Sequence, residues 1–110
     1  MTIDCCLATY GSLAPGQPNH HQLASLRGTW MSGTVTGRLV ASGWGAAMGY
    51  PALVPDPQGD HIPVQLFTSP DLPAHWARLD VFEGSEYRRV PVAVQTADAV
   101  ITAWIYISAG

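Results

Sequence analysis

Glu83 is an acidic residue at a position where the surrounding pattern predicts an apolar one. It follows Leu79 by four residues and Trp76 by seven, so on a helix it falls in the same stripe as these side chains. A charged group on an apolar face has a partner, changes its protonation state or takes part in chemistry. At the C-terminal end of a helix, both the dipole and burial should raise the pKa of Glu83, which suits proton transfer near neutral pH. The structural alternative is an ion pair with Arg88 or Arg89.

A glycine-containing loop is the second candidate for chemistry. It follows the first apolar run and has the sequence Tyr10-Gly11-Ser12-Leu13. Gly11 and Gly16 have the spacing of a phosphate-binding loop, but Gln17-Pro18 stands where that loop needs a lysine and a hydroxyl residue, and the chain has no lysine. What remains is a turn whose backbone N–H groups and Ser12 hydroxyl are suited to hold a carboxylate or an oxyanion. An ordinary glycine turn without a ligand is the alternative.

The other polar residues do not form a recognisable site. His20 and His21 would point apart on a helix, and His61 and His75 have no ligand spacing, so we expect no metal site. The chain contains no Gly-x-Ser-x-Gly sequence, which argues against a serine hydrolase of that type. Glu86 lies beyond the predicted helix in a polar turn, so a pair of glycosidase carboxylates is not favoured.

The composition is that of one small acidic domain. A chain of 110 residues that is 47% apolar fits a single domain spanning residues 1–110. The net charge of -3 and the five arginines provide no basic surface, so we expect no nucleic-acid partner. Cys5 and Cys6 are adjacent and would point to opposite faces of a strand, which does not suit a disulfide bond and favours a reducing compartment. Without a recognisable signal peptide or membrane-length apolar stretch, the chain is predicted to be cytoplasmic, with no membrane partner.

Short strands and tight turns are the elements that must position these candidates. Eleven glycines and nine prolines favour such elements over long helices. Gly33 and Gly37 predict that the second strand is bent or bulged. The segment 42–50, with Trp44 and Met48, is predicted to be a loop with aromatic anchors, and the last two strands should form a hairpin around Ala97-Asp98. The predicted strands cover residues 3–9, 30–40, 62–68, 87–94 and 100–108, with a short extended piece at 51–55.

Two helices are predicted between these strands. Asn19 is a suitable N-cap for a short helix over residues 20–26, which Gly28 would end. Ser69 is a suitable N-cap for the second helix, with Pro70 at its first position and Gly84 just past its end. The resulting order, β-α-β-β-β-α-β-β, indicates an α+β fold whose glycine-bent strands are suited to curl into a barrel.

Two motifs together resemble the γ-glutamylcyclotransferase (AIG2-like) family. One is Tyr10-Gly11-Ser12-Leu13, and the other is Leu79-Asp80-Val81-Phe82-Glu83-Gly84 followed by Tyr87-Arg88-Arg89. They occur in the family's order and in the expected structural contexts, and the resemblance extends from Ala8 to Val92. The stretch Gly16-Gln17-Pro18-Asn19-His20 is most similar to the γ-glutamylaminecyclotransferase branch. Ala14-Pro15-Gly16 departs from the glutathione-specific branch, which carries bulkier residues there.

This resemblance implies a fold, a reaction and a set of site residues. The fold is a small mixed β-barrel of short strands with two helices, in which the loop and the glutamate meet at one pocket. The reaction converts a γ-glutamyl amine or γ-glutamyl peptide to 5-oxoproline and free amine by intramolecular aminolysis, without a cofactor. The implied roles are acid/base for Glu83 and substrate binding for Tyr10, Gly11, Ser12, Leu13 and Tyr87.

Two other functions remain open at the level of sequence. One is a non-catalytic member of the same barrel that binds an amino-acid-like ligand or a protein partner through the same pocket. The other is an interaction domain built only for packing, in which Glu83 is an ion-pair partner and the glycine loop is just a turn. The sequence does not determine the natural leaving group, the oligomeric state or the role of Arg88 and Arg89.

Overall fold

The protein is a mixed β-barrel with a helix packed against it. The computed structural model describes residues 2–41 and 49–109, so most of the predicted loop at 42–50, including Trp44 and Met48, lies outside the described residues. All the predicted strands are present, and the bounds are β1 (Cys6–Thr9), β2 (Thr29–Val40), β3 (Ala52–Pro55), β4 (Asp60–Thr68), α1 (Trp76–Glu83), β5 (Tyr87–Gln95) and β6 (Val100–Ser108).

The strand order explains how the N-terminal loop reaches the middle of the molecule. The sheet runs β3-β2-β4-β1-β6-β5, so the short β1 lies between β4 and β6. It pairs antiparallel with β4 and parallel with β6, through Leu7 opposite Trp104. The barrel is therefore mixed, as predicted, and the loop that follows Thr9 begins at the centre of the sheet rather than at its edge.

The barrel closes where β2 meets β5. Thr34 pairs with Gln95, which joins the last strand of the order to the second. The preceding Gly33 permits this approach, because a Cβ there would lie 2.7 Å from Val94 Cγ1 and 2.8 Å from the Gln95 carbonyl oxygen. The pairing of β2 with β4 runs without interruption from Thr29 to Gly37, so the predicted bulge is absent along this edge. Gly33 instead allows β2 and β5 to approach each other closely.

The prediction of an α-helix over residues 20–26 is wrong. The chain forms only a 3-10 turn at His20–Gln22, and its hydrogen bonds close over three residues, as in Leu23 N–H to His20 O and Leu26 N–H to Leu23 O. Asn19 makes no side-chain cap at this turn. Its amide is bound elsewhere in the loop, so the capping interaction that was expected to start a helix is missing.

The second helix begins later than predicted. Ser69 accepts a hydrogen bond from the Asp71 N–H over 3.0 Å, but this closes a local turn, and a 3-10 turn at Leu72–Ala74 precedes α1. Pro73 accounts for the interruption, because a proline disfavours the helical conformation of the residue before it. The predicted end is confirmed, since Gly84 follows α1 with φ of 80°, a backbone conformation that favours glycine. No described helix is long and apolar enough to cross a membrane.

The apolar residues form two packed groups, one inside the barrel and one beneath α1. The first includes Ala103, Ile105 and Ile107, which confirms the predicted inward face of β6. The second joins the outer side of the sheet to the helix through Leu79 and Trp76, both buried, which confirms the predicted apolar stripe of α1. This packing fixes the end of α1 against the barrel and brings Glu83 next to β1 and β6.

Candidate functional site

A cleft lies where the end of β1 meets the end of α1. It encloses about 440 Å³ of empty space, part of it open to solvent. All the site residues expected from the sequence line this cleft, namely Tyr10, Gly11, Ser12, Leu13, Glu83 and Tyr87. The two motifs, far apart in the chain, thus share one concave surface, which is the usual form of a small-molecule site.

Glu83 is the acidic group of the cleft. Its side chain lies at the C-terminal end of α1, and the residue is only 8% exposed. Burial raises the pKa of this carboxyl group to about 7, because a low-polarity environment disfavours the charged form. The direction agrees with the sequence-based prediction. A carboxyl group of this kind exchanges protons near neutral pH, in contrast to an exposed glutamate.

Arg89, one of the two arginines of the ion-pair alternative, is bound to Asp80. Its guanidinium binds Asp80, with Nε 2.9 Å from Oδ1 and Nη2 3.2 Å from Oδ2. It also lies between two indole rings, 4.4 Å from the centre of Trp76 and 4.6 Å from that of Trp104. Arg89 therefore lies outside the cleft. Its partner Asp80 precedes Glu83 by about one turn of α1.

Tyr10 has a structural hydroxyl group and a ring that lines the cleft. The hydroxyl donates to the Tyr106 carbonyl oxygen over 2.7 Å and accepts from the Leu53 N–H over 2.8 Å. One phenol thus joins the loop after β1 to both β6 and β3. Because this hydroxyl is already bound on both sides, Tyr10 contributes shape to the cleft and holds the loop in position.

Asn19 fixes the conformation of Ser12. Its Nδ2 donates to Ser12 Oγ over 2.9 Å, and its backbone N–H donates to the Ser12 carbonyl oxygen over 2.9 Å. The Ala14 N–H similarly binds the Gly11 carbonyl oxygen over 3.1 Å. The carbonyl oxygens of Gly11 and Ser12 thus both accept hydrogen bonds from within the loop. The Ser12 hydroxyl accepts a hydrogen bond from Asn19, so its own hydrogen is available for donation to a ligand. Such an arrangement suits an anionic group in the cleft.

Two tyrosines of the cleft were missed in the sequence. Tyr106 and Tyr50 line it together with the expected residues, as do Ala8, Thr9 and Pro51. Tyr106 had a usable signal in the sequence. It lies two residues after Trp104, so both side chains share the face of β6 opposite the inward apolar residues. Tyr50 had none, since its position depends on a long-range bond from its hydroxyl to Gln17 Oε1 over 2.8 Å.

The two buried phenols of the cleft remain protonated near neutral pH. Burial is the main cause that raises the pKa of both Tyr10 and Tyr106 above the ordinary value, and the nearby Glu83 carboxylate adds to it. Glu83, with its pKa raised to about 7, differs from these two phenols in titrating near neutral pH. Across residues 2–41 and 49–109, no three histidine, cysteine, aspartate or glutamate residues are grouped so as to hold a metal ion.

The fold is similar to several solved structures. YkqA from Bacillus subtilis superposes with a TM-score of 0.75 and 26% identity, over 96% of this chain and 36% of YkqA. A mouse AIG2-like protein gives a TM-score of 0.75 with 22% identity, over 96% of this chain and 77% of the mouse chain. The At5g39720.1 protein of Arabidopsis thaliana gives 0.63 with 26% identity, over 96% and 68%. The chain thus spans about a third of YkqA and most of the other two.

The sequence itself matches one family model. That model is described as gamma-glutamyl cyclotransferase, AIG2-like, and the match covers residues 7–110. No curated protein matches the sequence. Since the family match extends over nearly all of the chain and the fold agrees with it, this chain belongs to the AIG2-like gamma-glutamyl cyclotransferase family.

Proposed function

We propose that this protein converts a γ-glutamyl amine or γ-glutamyl peptide to 5-oxoproline and the free amine. The observation that carries the proposal is the position of Glu83, a buried carboxyl group with a pKa raised to about 7, in the cleft formed by the Tyr10 to Leu13 loop. A carboxyl group that is half protonated near neutral pH is suited both to accept a proton and to return it. Membership of the family supports the reaction type.

In the proposed reaction, the substrate supplies its own nucleophile. The unprotonated α-amine attacks the γ-carbonyl carbon, and the Glu83 carboxylate accepts the proton that this nitrogen loses as the new C–N bond forms. Glu83 then gives that proton to the nitrogen of the leaving amine as the original C–N bond breaks. The proton is conserved within the step, and neither water nor an oxidant is consumed. The transfer is a cyclising acyl transfer to the substrate's own amine.

The loop holds the γ-glutamyl head in this proposal. The backbone N–H groups of Gly11, Ser12 and Leu13, with the Ser12 hydroxyl, bind either the α-carboxylate or the oxyanion that develops on the γ-carbonyl oxygen. The bonds from Asn19 to Ser12 support this role, since they order the loop before any ligand arrives. Holding the flexible head in its ring-closing conformation lowers the entropic cost of cyclisation.

The expected setting is the cytoplasm, with a small-molecule γ-glutamyl substrate and no nucleic-acid or membrane partner. Cys5 and Cys6 support this setting, because both are free thiols and Cys6 is buried. Burial raises the pKa of the Cys6 thiol, so it is a poor nucleophile and suits a packing role in a reducing compartment.

The test is to incubate the protein with γ-glutamyl amines, γ-glutamyl dipeptides and glutathione, and to measure 5-oxoproline by mass spectrometry. We expect 5-oxoproline from at least one of these substrates. An N-acetylated form of the best substrate should give no product, because its blocked nitrogen cannot attack. Release of N-acetylglutamate from that blocked form would mean that water attacks the amide, and the protein would then be an amidase. Binding of 5-oxoproline without any turnover would indicate a non-catalytic binding protein.

A further inference from the structure

A second cleft adjoins the one that contains Glu83. It encloses about 470 Å³ of empty space, part of it open to solvent. The two clefts share a wall made of Thr9, Tyr10, Gly11 and Tyr50. Beyond that wall, the second cleft runs toward β4 and away from α1. It therefore offers space next to the site of the γ-glutamyl head that the head itself does not fill.

Gly11 leaves the two clefts without a side chain between them at this point. A Cβ built on Gly11 would meet no atom within 4 Å, although the residue lines both clefts. Neither steric crowding by the protein nor a positive φ requires glycine here, since the described glycines with positive φ are Gly16, Gly49 and Gly84. The open space above Gly11 leaves room for a ligand that extends from one cleft to the other.

The second cleft is uncharged along the whole of its described lining. Besides the shared wall, the residues that line it are Ala14, Gln17, Pro63, Val64 and Gln65. Gln17 and Gln65 provide neutral amides, and Gln17 is already bound by the Tyr50 hydroxyl. A ligand that ends in a charged group would lose hydration here without gaining a counter-ion, whereas an alkyl chain would bury apolar surface.

We propose that this second cleft holds the leaving amine of the substrate and selects amines whose distal part is uncharged. The inference rests on the proposed cyclisation and adds the class of leaving group to it. The γ-glutamyl head lies against Glu83 and the Tyr10 to Leu13 loop, the scissile amide passes over Gly11, and the alkyl part of the amine lies against Pro63 and Gln65. Amines that carry a carboxylate or ammonium at the far end are poor leaving groups for this enzyme.

The test compares three γ-glutamyl amides with the same head and the same three-carbon spacer. Their leaving amines are n-butylamine, which ends in a methyl group, γ-aminobutyrate, which ends in a carboxylate, and propane-1,3-diamine, which ends in an ammonium group. Formation of 5-oxoproline gives kcat/KM for each at low ionic strength. We expect the n-butyl amide to be favoured about tenfold over both charged amides, since each charge is only partly desolvated in an open cleft.

Charge added at Gln65 should redirect this selectivity. Gln65 lines the second cleft but not the first, and it is half-buried on β4. Gln65→Lys should raise kcat/KM for the carboxylate amide, and Gln65→Glu for the ammonium amide, by about two- to fivefold each, as for partly exposed ion pairs. The matched controls are Gln58→Lys and Gln58→Glu in the exposed turn before β4, which should leave all three values unchanged.

The outcomes separate this inference from the proposed function. No 5-oxoproline from any of the three amides would overturn the proposed cyclisation, and the leaving-group inference with it. Formation of 5-oxoproline at equal kcat/KM from all three, or a preference for a charged amine, would overturn the inference alone. A preference for the n-butyl amide that neither Gln65 substitution changes would mean that the leaving amine binds elsewhere, which also overturns it.

Discussion

The hydroxyl group of Tyr106 donates a hydrogen bond to Oδ1 of Asp80 over 2.7 Å. Tyr106 lines the cleft from β6, whereas Asp80 lies on α1, does not line the cleft and also binds Arg89. Trp104, stacked on Arg89, is held in turn by a bond from its Nε1 to Asp4 Oδ1 over 2.9 Å. A chain of polar contacts thus ties the helix that carries Glu83 to the strand that forms the opposite wall of the cleft.

This relationship predicts that Tyr106→Phe affects stability more than catalysis. The substitution removes one hydrogen bond to a carboxylate that keeps its bonds to Arg89, so we expect a loss of about 1 kcal/mol in the free energy of unfolding. Because the lost hydroxyl faces Asp80, kcat/KM of the folded enzyme should stay within about threefold of the parent. Urea unfolding and steady-state kinetics measure the two quantities. A hundredfold loss of kcat at unchanged stability would instead indicate that the hydroxyl takes part in the reaction.

Glu83→Gln should abolish cyclisation while keeping the fold. The amide has nearly the volume of the carboxyl group but can neither accept nor return the proton, and such groups are typically worth about 10²- to 10⁴-fold in rate. The matched control is Glu86→Gln, which alters an exposed glutamate that does not line the cleft. Activity of Glu83→Gln within about tenfold of the parent would rule out the acid/base role.

As the pH rises, the parent protein should lose stability relative to the Glu83→Gln variant. Burial raises the pKa of Glu83 from 4.5 to about 7 in the folded state, so the folded protein binds more protons than the unfolded chain between these values. The stabilisation by protonated Glu83 is complete below pH 4.5 and is lost as the pH rises through 7. We expect the difference between the two proteins to change by on the order of 3 kcal/mol across this window. Urea unfolding at several pH values measures it, and a constant difference would contradict the raised pKa.

Gly11→Val should weaken substrate binding without disturbing the fold. The added side chain meets no protein atom near its Cβ, and φ at Gly11 is not positive, so we expect circular dichroism and the melting temperature to stay close to those of the parent. It would project into the space that the substrate occupies and raise KM by about tenfold or more. Gly11→Ala, with a smaller side chain, should have an intermediate effect. Unchanged kcat and KM in both variants would show that the loop is only a turn.

The sequence alone determined the elements whose signals are local. Alternating residues such as Ile105 and Ile107 predicted the inward face of β6, because a strand turns successive side chains to opposite faces. Gly84 marked the end of α1, since few other residues adopt a positive φ of this size. Glu83 stood out because one polar residue interrupted a helical apolar stripe, and burial of that stripe is what raises its pKa.

Only the tertiary structure decided the features that depend on residues distant in the chain. Tyr10 and Tyr106 are joined across most of the sequence by one hydrogen bond, and nothing in the local pattern of either residue encodes the other. Asn19 was predicted to cap a helix but binds Ser12 of the same loop instead, because a capping preference is worth only about 1 kcal/mol and the contacts of the folded loop readily replace it. The second cleft likewise exists only because β1 lies between β4 and β6, which brings Gly11 and Gln65 to one surface. Sequence periodicity reports which side of an element is buried, whereas the barrel closure decides which elements face each other.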